Sequence, residues 1–147
     1  MNILIRKGTK EDLPAVHDLV RDLAVYEKAE EQLIATVEDY RRDFEKGWFE
    51  CEVAVNAGQI IGVVLYYETY STWKGRMLYL EDFVVKESFR QHGVGQLLFD
   101  AYLKTAKDKC CNLVKWQVLD WNTPAVNFYR KNNATIEKEW WNGKIIF

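Results

Sequence analysis

The stretch from Tyr79 to Leu98, YLEDFVVKESFRQHGVGQLL, limits most strongly what this chain can fold into. Leu78, Leu80, Phe83, Val84 and Val85 are the apolar, aromatic and β-branched residues of a buried strand. Strict alternation fails at Asp82-Phe83, so a bulge is expected there. From Gly95 onward, Leu97, Leu98, Ala101, Tyr102 and Ala106 keep the spacing of one helical face. Between strand and helix lie Arg90, Gln91, His92, Gly93, Val94, Gly95 and Gln96. Glycines at alternate positions of a strand-to-helix turn let successive backbone N–H groups point into one concavity. The helix N-terminus adds positive potential, and the product is a site for a pyrophosphate. A Walker loop would need Gly-Lys-Ser/Thr, whereas Gly95 is followed by Gln96-Leu97. A dinucleotide fingerprint would need a small residue at Leu98 and an earlier strand. Neither fits, and the remaining alternative is a glycine turn with no ligand.

The chain has 147 residues, enough for one domain (1–147) with a full core. Its apolar share of 48% and aromatic share of 14% exclude a disordered composition. A net charge of -2 gives no reason to expect nucleic acid or an anionic membrane as partner. No run of about 18 apolar residues is present to span a bilayer, and no N-terminal run suits a signal peptide. Cys51, Cys110 and Cys111 lack the paired spacing of a zinc site and read as reduced thiols, so no metal and a cytoplasmic setting are expected.

The elements follow in order. Ile3 to Arg6 is a short strand, and Thr9 with Asp12 forms a cap before a helix carrying Leu13, Val16, Val20 and Leu23 on one face. Thr36 caps a second helix through Phe44. Phe49 to Val55 and Ile60 to Tyr70 form a hairpin around Asn56-Ala57-Gly58. A turn from Ser71 to Gly75 leads into the central strand. After the long helix come a strand over Leu113 to Leu119, a helix from Thr123 to Lys131 with Pro124 in its first turn, and short strands over 135–140 and 144–147. The expectation is an α/β (α+β) fold: one mixed, mostly antiparallel twisted sheet of about seven strands flanked by about four helices.

That order, the Arg-x-x-Gly-x-Gly loop behind Asp82-Phe83-Val84-Val85, and the segment Asp120 to Tyr129 together resemble the GNAT N-acetyltransferases. Within them the chain is most similar to the diamine acetyltransferases that act on spermidine/spermine or thialysine. The matching pieces are Leu23-Ala24-x-Tyr26-Glu27, Glu30-Glu31-Gln32, Tyr66-Tyr67-x-Thr69-Tyr70, Trp73, Leu78 to Phe83, and Asn127-Phe128-Tyr129. Two departures stand out. Lys131-Asn132-Asn133-Ala134 replaces the usual Gly-Ala, though Asn tolerates the left-handed turn. The sequence given ends at Phe147, where the diamine enzymes carry a longer tail that helps build dimer and substrate site.

The resemblance implies acetyl transfer from acetyl-CoA to a primary amine of a small cationic acceptor, by direct attack in a ternary complex. An aliphatic ammonium titrates near ~10.4 and must lose a proton before attack. Glu81 matches the family's base, acting through water; its bland alternative is a solvated strand residue or partner for a Lys or Arg. Asp82 ranks second, since a regular strand would turn it away. Tyr129 matches the general acid, its phenol near ~10 protonating a thiolate near ~8.5, unless it merely packs. Backbone N–H groups of Phe83, Val84 and Val85 would bind the pantetheine like an added strand. The amides of residues 90–96, with Arg90 adding charge, would hold the phosphates. Asn122 and Asn127 are further polar contacts, and His92 a solvated loop residue. For the acceptor, Tyr26, Glu27, Glu30 and Glu31 form an acidic, aromatic cluster that Tyr70 and Trp73 would close; a solvated acidic surface is the alternative. A homodimer is implied, with Trp140 and Trp141 at its interface or as one core and one rim residue. A non-catalytic acetyl-CoA sensor and a protein or peptide N-acetyltransferase remain as alternative functions.

Overall fold

A computed structural model describes residues 1–147, and the chain divides into two compact units, Met1–Gln117 and Val118–Phe147. The first unit opens with β1 (Ile3–Lys7) and a single tight turn, Lys10–Asp12, leading into α1 (Leu13–Tyr26). Asp12 fixes that entry. Its carboxylate accepts from the Thr9 backbone N–H at 2.8 Å and hydroxyl at 3.1 Å, and from the Arg6 guanidinium at 2.7 and 3.0 Å. The expected Thr9–Asp12 cap is therefore present, with an arginine added to it. α2 (Val37–Glu45) follows, and Thr36 and Asp39 bond reciprocally at its start as expected.

β2 (Glu50–Asn56), β3 (Gln59–Ser71) and β4 (Gly75–Val85) form an antiparallel meander with β1 on its outer side. Ala57 and Gly58 both take left-handed backbone, φ 50° and 77°, as the two-residue hairpin turn demands. α3 (Val94–Asp108) then crosses over, and β5 (Leu113–Lys115) pairs parallel to Met77–Tyr79. The sheet thus has five strands in the order β1-β2-β3-β4-β5.

Alternation along the strands separates two layers of core. Cys51, Val53, Val63, Leu65 and Val84 pack under Val16, Leu19 and Val20 of α1. The other face meets α3: Tyr102 stands 5.7 Å from the Tyr66 ring and donates its hydroxyl to the Leu78 carbonyl at 2.6 Å. Beside it the Thr105 hydroxyl donates to buried Glu52 at 2.7 Å. α3 comes so close to β3 that a Cβ on Gly62 would lie 3.0 Å from a Leu98 methyl and 3.2 Å from the Val84 carbonyl.

In the second unit α4 (Thr123–Lys131) has Pro124 in its first turn and ends at Asn133, whose φ of 66° is the left-handed turn expected of an Asn there. The expected strands over 135–140 and 144–147 do not form, and the strand expected over 113–119 stops at Lys115. Five strands replace about seven because aromatic and β-branched content is only a propensity for pairing, and no neighbouring strand satisfies it here. Trp140 and Trp141 are both exposed, at 72% and 94%, which rules out the expectation that one of them is a core residue. No helix is long and apolar enough to cross a membrane.

The Arg6 bonds hold the Asp12 carboxyl below the usual carboxylate range, against the opposing effect of burial. Such a group contributes stability above its unfolded pKa near ~3.9 and loses it as pH falls through the lower folded value. Asp12→Ala is expected to lose about 1–3 kcal/mol at pH 7. In urea unfolding measured against pH, that difference should shrink below about pH 4.

Candidate active site

The decisive local feature is a register shift in β4. Leu65 pairs with Asp82 and Tyr66 with Leu80, so Glu81 is an extra residue between them. The bulge falls one position before the expected Asp82-Phe83 break. It turns Glu81 and Asp82 to the same side, where both line a cleft, and returns Phe83 to the opposite face, stacked 6.0 Å from Phe99 of α3. A regular strand would have turned Asp82 away from Glu81; with the bulge, both line the same cleft.

The cleft is open, with a volume of about 240 Å³, just under the range of enclosed small-molecule sites. Besides Glu81 and Asp82 it is lined by Leu65 and Tyr67 of β3, Tyr40 of α2, and Trp48 and Phe49 from the α2–β2 link. Tyr67 stacks on Tyr79 at 5.3 Å, and its hydroxyl donates to Glu81 Oε1 at 3.3 Å. Tyr40 packs edge-on to His17 at 4.9 Å and to Phe49 at 5.8 Å. Trp48 follows left-handed Gly47 at the end of α2 and bonds back to the Asp43 carbonyl at 3.0 Å, leaving its indole 69% exposed at the mouth.

Charge in the cleft is one-sided. Burial, then the Glu81 carboxylate, then Glu27 push the Asp82 carboxyl up to about 7. Burial raises Glu27 as well. Tyr40 is pushed up to about 12 by burial and by the charges of Asp82 and Glu81, and Tyr67 to about 12 by burial and Glu81, so both phenols stay protonated donors at neutral pH.

Beside the cleft, β5 pairs only with Met77–Tyr79, so no strand of the sheet covers that edge of β4 from Leu80 to Val85. The edge leads to the turn before α3. Gln91 and Gly93 take left-handed backbone there, φ 62° and 81°, and Gly93 caps the helix. The first intrahelical bond runs from Leu97 N–H to Gly93 O at 3.1 Å. The amides of Val94, Gly95 and Gln96 therefore precede the ladder and point out along the axis. A Cβ on Gly95 would meet only the Phe83 ring, at 3.7 Å, so the outer surface of the turn is open to a phosphate. Backbone edge, bent loop and helix terminus together fit a pantetheine-pyrophosphate chain.

Arg90 does not point outward from this turn. Its Nε donates to the Val85 carbonyl at 3.0 Å, and its guanidinium lies 5.6 Å over the ring of Tyr26, the last residue of α1. His92 bonds the Arg90 carbonyl through Nδ1 at 2.7 Å, and Gln96 donates to Asp100 at 2.9 Å. Of the expected acceptor residues, Glu27 acts on the cleft through its charge, while Glu30 and Glu31 are exposed on a single turn outside it. Tyr70 and Trp73, at the exposed β3–β4 tip, do not line the cleft. In the second unit Asn122 Oδ1 accepts from Ala125 N–H at 3.4 Å as the cap of α4, Asn127 is exposed, and Tyr129 is buried with its ring 5.6 Å from Phe128. Sequence reasoning missed Tyr40, Trp48, Phe49 and Tyr67. Only Tyr67 carried a readable sign, its two-residue spacing from Leu65 on one strand face.

The fold is that of an acyltransferase, and comparison with known proteins agrees. The profile described as Acetyltransferase (GNAT) family matches residues 13–134, and the chain belongs to that family. It is 35% identical over 151 residues to thialysine N-epsilon-acetyltransferase of Bos taurus, covering 95% of this chain and 89% of that protein. It is 31% identical to spermidine/spermine N(1)-acetyltransferase-like protein 1 of Homo sapiens, over 88% of this chain and 20% of that protein. Among solved structures, an aminoglycoside acetyltransferase from an uncultured soil metagenomic sample superposes with a TM-score of 0.82 at 20% identity, over 99% and 96% of the two chains. The protein is an acetyltransferase, and members of its family draw the acetyl group from acetyl-CoA and pass it to an amine.

The carboxyl cluster has a thermodynamic consequence. Because folding raises Asp82 above its ordinary range to about 7, the folded state loses stability as pH rises from about 4 to about 7 and bears the full cost above that. Asp82→Asn should be more stable than the parent at pH 8, by about 1–3 kcal/mol. The gain should fade toward about pH 4 in thermal melts run across pH.

Proposed function

We propose that the chain acetylates a primary amine of a small cationic acceptor, polyamine-like or lysine-like, by direct attack on acetyl-CoA in a ternary complex. The observation that supports this best is the β4 bulge, which aims two carboxylates into an aromatic cleft beside an uncovered strand edge. Acetyl-CoA supplies the thioester when bound. The β4 edge from Phe83 to Val85 would hold its pantetheine by strand-like bonds and offer N–H donors to the developing oxyanion. The amides of Gly93 to Gln96 would take the pyrophosphate. Arg90 has to leave the Tyr26 ring to join them.

Glu81 attracts the ammonium and takes its proton through water, with Tyr67 holding the carboxylate from one side. A second reading of the base is favoured by Asp82, which lines the same cleft and titrates at about 7, where a general base works best. The two readings separate by pH profile. If Asp82 is the base, the acid limb of kcat/KM near pH 7 disappears in Asp82→Asn and survives in Glu81→Gln; if Glu81 is the base, Glu81→Gln loses most turnover while Asp82→Asn keeps it. Tyr129, assigned on family resemblance, protonates the departing thiolate.

Release of free CoA thiol with a panel of amines tests the activity, and binding of acetyl-CoA without turnover would point to a sensor instead. Tyr129→Phe is expected to lower turnover about ten-fold or more while calorimetric acetyl-CoA affinity is kept, since general acid–base groups contribute ~100-fold or above. Unchanged turnover would remove Tyr129 from the mechanism.

A further inference from the structure

The cleft holds information about the part of the acceptor that does not react. Glu81 and Asp82 give it negative charge, and Tyr40, Trp48 and Phe49 give it three aromatic surfaces, but none of the residues lining it is a Lys, Arg or His. The arginines of the neighbouring helix α2 are engaged by their own acids: Arg41 by Glu38, and Arg42 by Asp39 at 3.1 Å and Asp43 at 3.0 Å. Lys10 is likewise held by Glu45. An ammonium entering here meets carboxylates and ring faces, both favourable. A carboxylate on the same small molecule meets like charges and no counter-ion among the residues lining the cleft.

We propose that this cleft selects acceptor amines carrying no carboxylate: the ammonium faces Glu81 and Asp82 while the carbon chain lies along Tyr40, Trp48 and Phe49, in preference to the amino acid of the same chain length. The inference rests on the acetyltransfer reading above and narrows its acceptor class. It also separates this chain from relatives whose names specify amino acids, thialysine and L-ornithine. Trp48 is the specificity-determining residue. It stands exposed at the mouth, two residues past the end cap of α2. An aromatic ring there favours a hydrocarbon chain or a second ammonium and gives nothing to a carboxylate.

The test uses matched pairs differing only by the α-carboxylate: 1,5-diaminopentane against lysine, 1,4-diaminobutane against ornithine, and bis(2-aminoethyl) sulfide against thialysine. With the full chain and saturating acetyl-CoA, thiol release should give a kcat/KM at least about ten-fold higher for the carboxylate-free member of each pair, the equivalent of about 1.4 kcal/mol. Trp48→Arg places a cation at the mouth without disturbing the core. It should raise the amino-acid member and lower its partner, narrowing the ratio about ten-fold, whereas loss of a merely structural residue would reduce both alike. Equal or reversed kcat/KM within the pairs, or a ratio unmoved by Trp48→Arg, overturns the proposal while leaving acetyltransfer intact. Turnover with no member of any pair, although acetyl-CoA binds, overturns the acetyltransfer reading and this inference with it.

Discussion

One extra residue in one strand governs the chemistry of the whole site. Without the shift at Glu81, β4 would keep strict alternation, Asp82 would turn toward α3, and Phe83 would turn toward α1. A carboxylate would then enter the layer built by Tyr66, Phe99 and Tyr102, and a phenyl ring would stand where the cleft needs charge. The bulge avoids both outcomes together. Phe83 completes the aromatic layer beneath α3, and the two acids share one wall. Bulges also bend the strand that carries them, and here the bend lies within the edge that β5 leaves uncovered.

The arrangement costs stability. Two adjacent carboxylates with a third, Glu27, within electrostatic reach repel one another, and no lysine or arginine lines the cleft to relieve them. The acid most buried among them rises toward neutral pH, first because burial disfavours its charged form and then because Glu81 and Glu27 repel it. The core on both sheet faces offsets it, through the close approach of α3 at Gly62 and the tight entry to α1 at Asp12. On the proposed function, a bound ammonium would supply the missing counter-charge, so binding and relief of the repulsion would coincide at the same atoms. Charged sites of this kind are stabilised by their ligands as well as being selective for them.

Most of the fold was legible because it rests on periodicity and local punctuation. The Thr9–Asp12 and Thr36–Asp39 caps, the Asn56-Ala57-Gly58 turn and the helical spacing from Leu97 to Ala106 are short-range signals, and each appears where expected. The strands over 135–140 and 144–147 are a different matter, because a strand exists only with a partner and propensity cannot supply one. The same distinction runs through the site. Glu81, Asp82 and the Gly93 turn lie on one contiguous stretch and were readable together. Tyr40, Trp48, Phe49 and Tyr67 come from a helix, a link and a second strand, and only the packing of α2 against α1, with Tyr40 set beside Phe49, brings them to one cleft. Arg90 shows the limit from the other side: its place was legible, but its contact with Tyr26 is set by the end of a distant helix.

On the proposed assignment of a cofactor side and an acceptor side, the two halves of the site obey different rules of change. The cofactor side is built from a strand edge, a left-handed turn and a helix terminus, so nearly any residue that preserves those backbone shapes preserves the function. The acceptor side is built from side chains that the backbone only presents, and each substitution there changes the chemistry offered to the amine. Trp48 and Tyr40 sit outside the strand that carries the acids, on a helix and link able to vary without disturbing β4. Separating the acids from the aromatic walls lets the reaction stay fixed while the acceptor changes. Identity of fold and reaction is thus weak evidence about the amine, and the charge balance of the cleft is the stronger guide.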